Sequence, residues 1–135
     1  MEYSDKSLSL FRAVVENPLF DRDRGTVSAE FCCPADFPPF SGHFPGQPVL
    51  PAVIQLVFVR LLASDLLQTD LRTVGTGRMK FKGMIRPDER INIQVALEKD
   101  GEQWQAVFKL KKMGTVVSTG TIIFSLNPTA WCIDS

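Results

Sequence analysis

From Val53 to Leu67 the chain runs for 15 residues with apolar side chains on nearly every side, interrupted only by Gln55, Arg60, Ser64 and Asp65. Its β-branched residues would suit a buried strand, but its length favours a helix. A helix that is apolar all round cannot face water and must be enclosed by protein. Extended back to Leu50, the stretch still falls short of the ~20 apolar residues that a membrane span needs. Something in the same chain must therefore wrap this segment.

The second half supplies the wrapping. Met79, Phe81, Gly83 and Ile85 alternate with Arg78, Lys80, Lys82 and Arg86, the period of two that marks a strand. Ile91, Ile93, Val95 and Leu97 repeat the pattern, and the Asp-Gly pair in Lys99-Asp100-Gly101-Glu102 is a strong hairpin signal. Trp104, Ala106, Phe108 and Leu110 form the returning face. Met113-Gly114 turns once more, and Thr115 to Phe124 is a last strand rich in β-branched residues. An antiparallel meander with one apolar face follows. In the first half, Ala13 to Phe20 reads as a strand interrupted by Pro18, Asp21 to Gly25 as a turn, and Thr26 to Cys33 as its partner. Residues 5–12 could form one or two helical turns. The expected architecture is α+β: a curved antiparallel sheet around a long central helix, with residues 1–135 as a single domain.

Charge and cysteine usage exclude several function classes. Lysine plus arginine is 15 and aspartate plus glutamate is 15, which argues against a nucleic-acid binder. The charges are unevenly spread: residues 1–71 carry 5 basic and 9 acidic side chains, and residues 72–112 carry 10 and 5. No linker accompanies the change, so it reads as two faces of one domain. Cys32, Cys33 and Cys132 make a poor disulfide framework and offer no Cys-x-x-Cys pair for zinc. The N-terminus carries Glu2 and Asp5 and lacks the apolar core of a signal peptide. A soluble protein of a reducing, cytoplasmic compartment is expected.

The chemistry concentrates between the two halves. His43, the only histidine, lies in Phe40-Ser41-Gly42-His43-Phe44-Pro45-Gly46-Gln47-Pro48-Val49-Leu50-Pro51. A lone histidine is commonly structural. This one sits in a loop stiffened by proline and shaped by glycine, leading straight into a helix start. Unpaired N–H groups and the helix dipole favour developing negative charge there. A histidine beside such donors has the layout for abstracting a proton next to a carbonyl, with the enolate held by the amides.

The segment closely resembles the 3-hydroxyacyl-acyl-carrier-protein dehydratases of the hot-dog fold, whose signature is Gly-His-Phe-Pro-Gly-x-Pro-φ-φ-Pro-Gly, φ being apolar. Gly42 to Pro51 fit it and Ala52 departs. Lys80 to Pro87 resembles a later strand of that family, and Pro48 to Leu56 with Ile85-Arg86-Pro87 is similar to the branch found with aryl-polyene and related lipid pathways. The resemblance implies elimination of water from a (3R)-3-hydroxyacyl thioester in fatty acid or polyene lipid biosynthesis. It makes His43 the base, the Val49 carbonyl its orienting partner, and the Ala52 and Val53 amides the donors to the thioester oxygen. Phe44 falls within the substrate site. It also implies acyl carrier protein as partner, a homodimer with the site at its interface, open to higher assembly, and neither metal nor other cofactor.

One position departs with consequence. The family's helix carboxylate, fourteen residues after the histidine, is here Val57. A valine cannot protonate a leaving hydroxyl, and on this helix its plainer reading is core packing. No carboxylate lies within one helical turn. Gln55 and Arg60 are the nearest polar side chains, Asp65 is more than two turns away, and Asp36 would have to come from a second subunit. Two alternatives follow: a catalytically impaired hot-dog protein that binds acyl thioesters or pairs with an active paralogue, and an acyl thioesterase. The row Arg78, Lys80, Lys82, Arg86, Lys109, Lys111 and Lys112 reads either as a solvated sheet face or as a docking surface for the acidic carrier.

Overall fold

The computed structural model describes residues 5–40 and 48–126, with side chains from residue 8 onward. Helix α1 (Asp5–Val14) leads into β1 (Val15–Asp21) and β2 (Thr26–Cys32). A short 3-10 turn at Pro38–Phe40 precedes helix α2 (Ala52–Leu67), and β3 (Leu71–Phe81), β4 (Arg90–Asp100), β5 (Gln103–Lys112) and β6 (Thr115–Leu126) complete the chain. The six strands form one antiparallel sheet in the order β1-β2-β4-β5-β6-β3.

Helix α2 is the rod that the sequence required to be enclosed. Ile54, Val57, Phe58, Val59, Leu61, Leu62, Ala63 and Leu66 are all buried, so burial runs right around its axis. The inner sheet face meets it through alternate residues: Val27, Ala29 and Phe31; Ile91, Ile93, Val95 and Leu97; Ala106, Phe108 and Leu110. Aromatic rings lock the helix in place. Phe58 stacks on Phe31 at 4.1 Å between centroids and meets Phe11 of α1 edge-on at 5.1 Å. Phe37, from the loop after β2, closes on Phe11 at 5.5 Å.

Turn chemistry fixes the registers. Met113 and Gly114 both take positive φ, 51° and 81°, the twist that a two-residue hairpin requires. Gly25, at φ 70°, accepts from the Leu97 N–H at 2.7 Å, and a Cβ there would lie 2.8 Å from the Leu97 carbonyl oxygen. Only glycine fits that approach.

Three expected boundaries differ. Helix α1 runs on to Val14, so the first strand starts at Val15 rather than Ala13. Pro18 is accommodated at an edge, where the register shifts between Glu16 and Leu19 and Asn17 turns to φ 52°. The strand expected across 78–86 stops at Phe81 and instead begins at Leu71. It is the other sheet edge and is exposed on both faces over most of its length, with register shifts between Thr73 and Gly75 and between Thr76 and Met79.

Candidate active site

The start of α2 is unusual for a helix of 16 residues. Its N-cap is Pro51, at φ −60° and ψ 151°, and no side chain caps the first turn. Serine, threonine, aspartate or asparagine at this position would accept from the second or third amide, but proline has nothing to offer. The Pro51 carbonyl accepts from Ile54 N–H at 3.1 Å and Gln55 N–H at 3.2 Å. Among the described residues, the Ala52 and Val53 amides find no acceptor. Both residues are exposed, Val53 by 44%. Among the described residues, two N–H donors therefore stand open at the positive end of the helix dipole, with no acidic side chain in that turn to neutralise them.

The chain entering this end is held by bonds from both sides. Leu50, which is buried, donates its N–H to the Ile85 carbonyl at 2.8 Å. Its own carbonyl accepts from Gln55 Nε2 at 3.4 Å, and Gln55 Oε1 accepts from the Ser118 hydroxyl at 2.6 Å. Gln55 and Ser118 are both buried, so the amide is satisfied on each side by groups that water does not reach. A polar thread thus runs from β6 through the helix to Leu50, next to Val49, which is half-buried. Gln55 appeared in the sequence only as a polar neighbour of position 57. Its partner lies 63 residues away and nothing in the local pattern announces it.

Val57 lies one turn beyond Val53 and on the same side of the helix, as residues four apart do. It is 5% exposed and belongs to the core. The other acidic candidates are accounted for. Asp65 is engaged by Arg12, whose two guanidinium nitrogens donate at 2.6 and 2.8 Å, and Asp36 lies exposed in the loop after β2. Arg60, buried on the helix, donates to the Leu71 carbonyl at 3.3 Å. Cys33 is no nucleophile: burial, with a smaller push from neighbouring Cys32, takes its thiol up to about 12. His43 and Phe44 lie outside the described residues, as does Cys132. Among the described residues no group of three His, Cys, Asp or Glu side chains could hold a metal ion, and no helix is long and apolar enough to cross a membrane.

A long helix enclosed by a six-stranded antiparallel sheet in the order given, with open amides where the glycine-proline loop delivers the chain, is the hot-dog arrangement. Solved structures agree on that fold. The dehydratase heterocomplex ApeI:P from Xenorhabdus doucetiae superposes with a TM-score of 0.65 at 22% identity, over 76% of this chain and 88% of that one. A putative thioesterase, a phenylacetic acid degradation-related protein from Ralstonia eutropha JMP134, gives 0.67 at 14% identity, over 93% and 92%. At such identities the likeness is one of fold alone. The family model described as ApeI dehydratase matches residues 20–121, and the chain belongs to this ApeI-like dehydratase family. Among curated proteins, the 3-hydroxyacyl-(acyl-carrier-protein) dehydratase FabZ of Latilactobacillus sakei subsp. sakei (strain 23K) is 42% identical over 69 residues, which cover 44% of this chain and 48% of that protein. FabZ of Levilactobacillus brevis is 29% identical over 104 residues, 72% of this chain and 59% of that one. The chain spans about half the length of the curated relatives it matches.

Proposed function

We propose that this protein eliminates water from a (3R)-3-hydroxyacyl thioester carried on acyl carrier protein, giving the 2-enoyl thioester for fatty acid or polyene lipid synthesis in the cytoplasm. The pair of open amides at Ala52 and Val53, directly after the Gly42–Pro51 motif, carries this reading. Oriented by the Val49 carbonyl, His43 takes the C2 proton while the two amides hold the thioester oxygen as it gains negative charge. The carbon–oxygen bond at C3 then breaks as the double bond forms, next to Phe44. The departing hydroxyl becomes water with a proton from solvent, because Val57 has none to give. Lack of a positioned acid lowers a rate by about 10²–10⁴, so a slow enzyme is expected.

The homodimer belongs to the same reading. It is supported by the open edge of β3, exposed on both faces, with Val74 at 42% and Phe81 at 40% exposure. The second reading rests on Val57 itself. A buried valine where the family keeps a carboxylate suits a subunit that binds acyl thioesters beside an active paralogue whose helix supplies the acid.

The deciding measurement follows enoyl formation from a 3-hydroxyacyl thioester by the wild type and by His43→Ala. A fall of at least about 100-fold in the variant is expected. Equal rates in the two proteins refute the enzymatic reading and leave the binding subunit.

A further inference from the structure

On the side of the sheet that faces away from α2, a trough of about 790 Å³ crosses all six strands. Five inter-strand spacings make it roughly 24 Å long, and its volume falls within the ~300–1,000 Å³ of sites for small organic molecules. Register fixes what lies along it. In one cross-strand row Lys80 of β3 opposes Thr119 of β6, and Thr119 opposes Lys109 of β5, so a hydroxyl is flanked by two ammonium-bearing side chains. In the next row Thr121 opposes Val107, and Val107 opposes Ala96. Ala96 in turn opposes Thr26, and Thr26 opposes Asp21, so the apolar part of this row is Val107, 53% exposed, with Ala96. Toward β1 the trough ends at Leu19, which is 71% exposed, Phe20 and Asp21, with Leu19 lying across Ser28 and Gln94 from Lys109.

The trough is therefore polarised. Arg78, Lys80, Lys82 and Lys109 line one part, with Asp21 as the single carboxylate, at the far edge. Four of the other surface cations pair with carboxylates: Arg12 with Asp65, Arg24 with Asp21, Arg90 with Glu16, Lys112 with Glu89. Among the described residues no carboxylate pairs with the four that line the trough. Gathering four unneutralised cations costs repulsion, which an anion relieves.

We propose that this trough binds a single-chain anionic amphiphile, its phosphate or carboxylate head between Lys80 and Lys109 at Thr119 and its apolar tail running over Val107 toward Leu19. This is a site on the opposite face of the sheet from the acyl thioester site and does not depend on it. Exposed Val107 and Leu19 separate this occupant from a merely ionic one, which would leave both wet. The cationic end separates it from a neutral lipid, which would leave four charges unanswered.

Dodecyl phosphate below its micelle concentration, titrated calorimetrically into the full chain, tests the assignment. Binding of one amphiphile per chain is expected, at least tenfold tighter than inorganic phosphate or dodecyl maltoside. The double variant K80E/K109E and the single variant Val107→Asp should each weaken it at least tenfold. Amide shifts on titration should centre on Val107, Thr119 and Thr121. No binding, equal binding of the maltoside, indifference to both variants, or shifts confined to Ala52–Val57 would each overturn the proposal. So would a change of oligomeric state in K80E/K109E, which would mark this face as covered by a second copy.

Discussion

At its C-terminus helix α2 is closed by its own chain. Gln68 turns left-handed at φ 56°, its N–H and that of Thr69 both donate to the Ser64 carbonyl, and Asp65 takes two hydrogen bonds from Arg12 of α1. At its N-terminus the same helix has a proline for a cap and, among the described residues, leaves the Ala52 and Val53 amides without an acceptor. One end has been finished for stability. The other has been left chemically hungry, although a serine cap would have accepted from the Val53 amide. The difference points to the N-terminal end as the candidate site: the terminus that its own side chains leave incomplete, propped from beneath by the Gln55–Ser118 bond.

The contrast can be broken at either end. The largest effect is expected from Val57→Glu, which restores a carboxylate one turn beyond the open amides. A gain in enoyl formation of about 100-fold, set by what a positioned acid contributes, is expected, with stability somewhat reduced by burying the group. An unchanged rate would show that the loop and helix no longer cooperate. Next comes Pro51→Asp, which supplies the missing cap. Thermal unfolding should rise by the equivalent of about 1 kcal/mol, while the rate drops about tenfold as the carboxylate competes for the amides. A variant that gains stability and keeps its full rate would show that these donors take no part.

Changes at the closed end should touch stability alone. Asp65→Ala is expected to lose about 1 kcal/mol in denaturant unfolding, the upper range for an exposed pair with bidentate geometry, with the rate unaltered. Gln68→Gly is the smallest effect. It relieves a side chain in the left-handed region and should gain about 0.5 kcal/mol. If either of these changed kcat, the separation between a structural end and a reactive end would collapse.

What the sequence made legible follows from how local each signal is. Strands β4, β5 and β6 announce themselves because one face is buried and the other wet, so alternation is preserved along each. Helix α2 does so because nearly every position is apolar. The first half of β3 does not, since an edge strand exposed on both faces with two register shifts has no alternation to read. The junction of α1 with β1 carries no stop signal in either element, so the pattern sets it two residues early. At the candidate site, the motif from Gly42 to Pro51 and the valine at position 57 stand in the chain itself. That Asp65 is held by Arg12, and that Gln55 is anchored by Ser118, depends on residues 53 and 63 positions apart. Such pairs exist only after folding.

The bond between Gln55 and Ser118 has an evolutionary corollary. A lone change at either residue strands a desolvated dipole in the interior, at a penalty of about 1–3 kcal/mol, while exchanging both for apolar groups is nearly free. Descendant lineages should thus keep or discard the two together, and any sequence carrying one without its mate should show a compensating polar neighbour or a loosened loop.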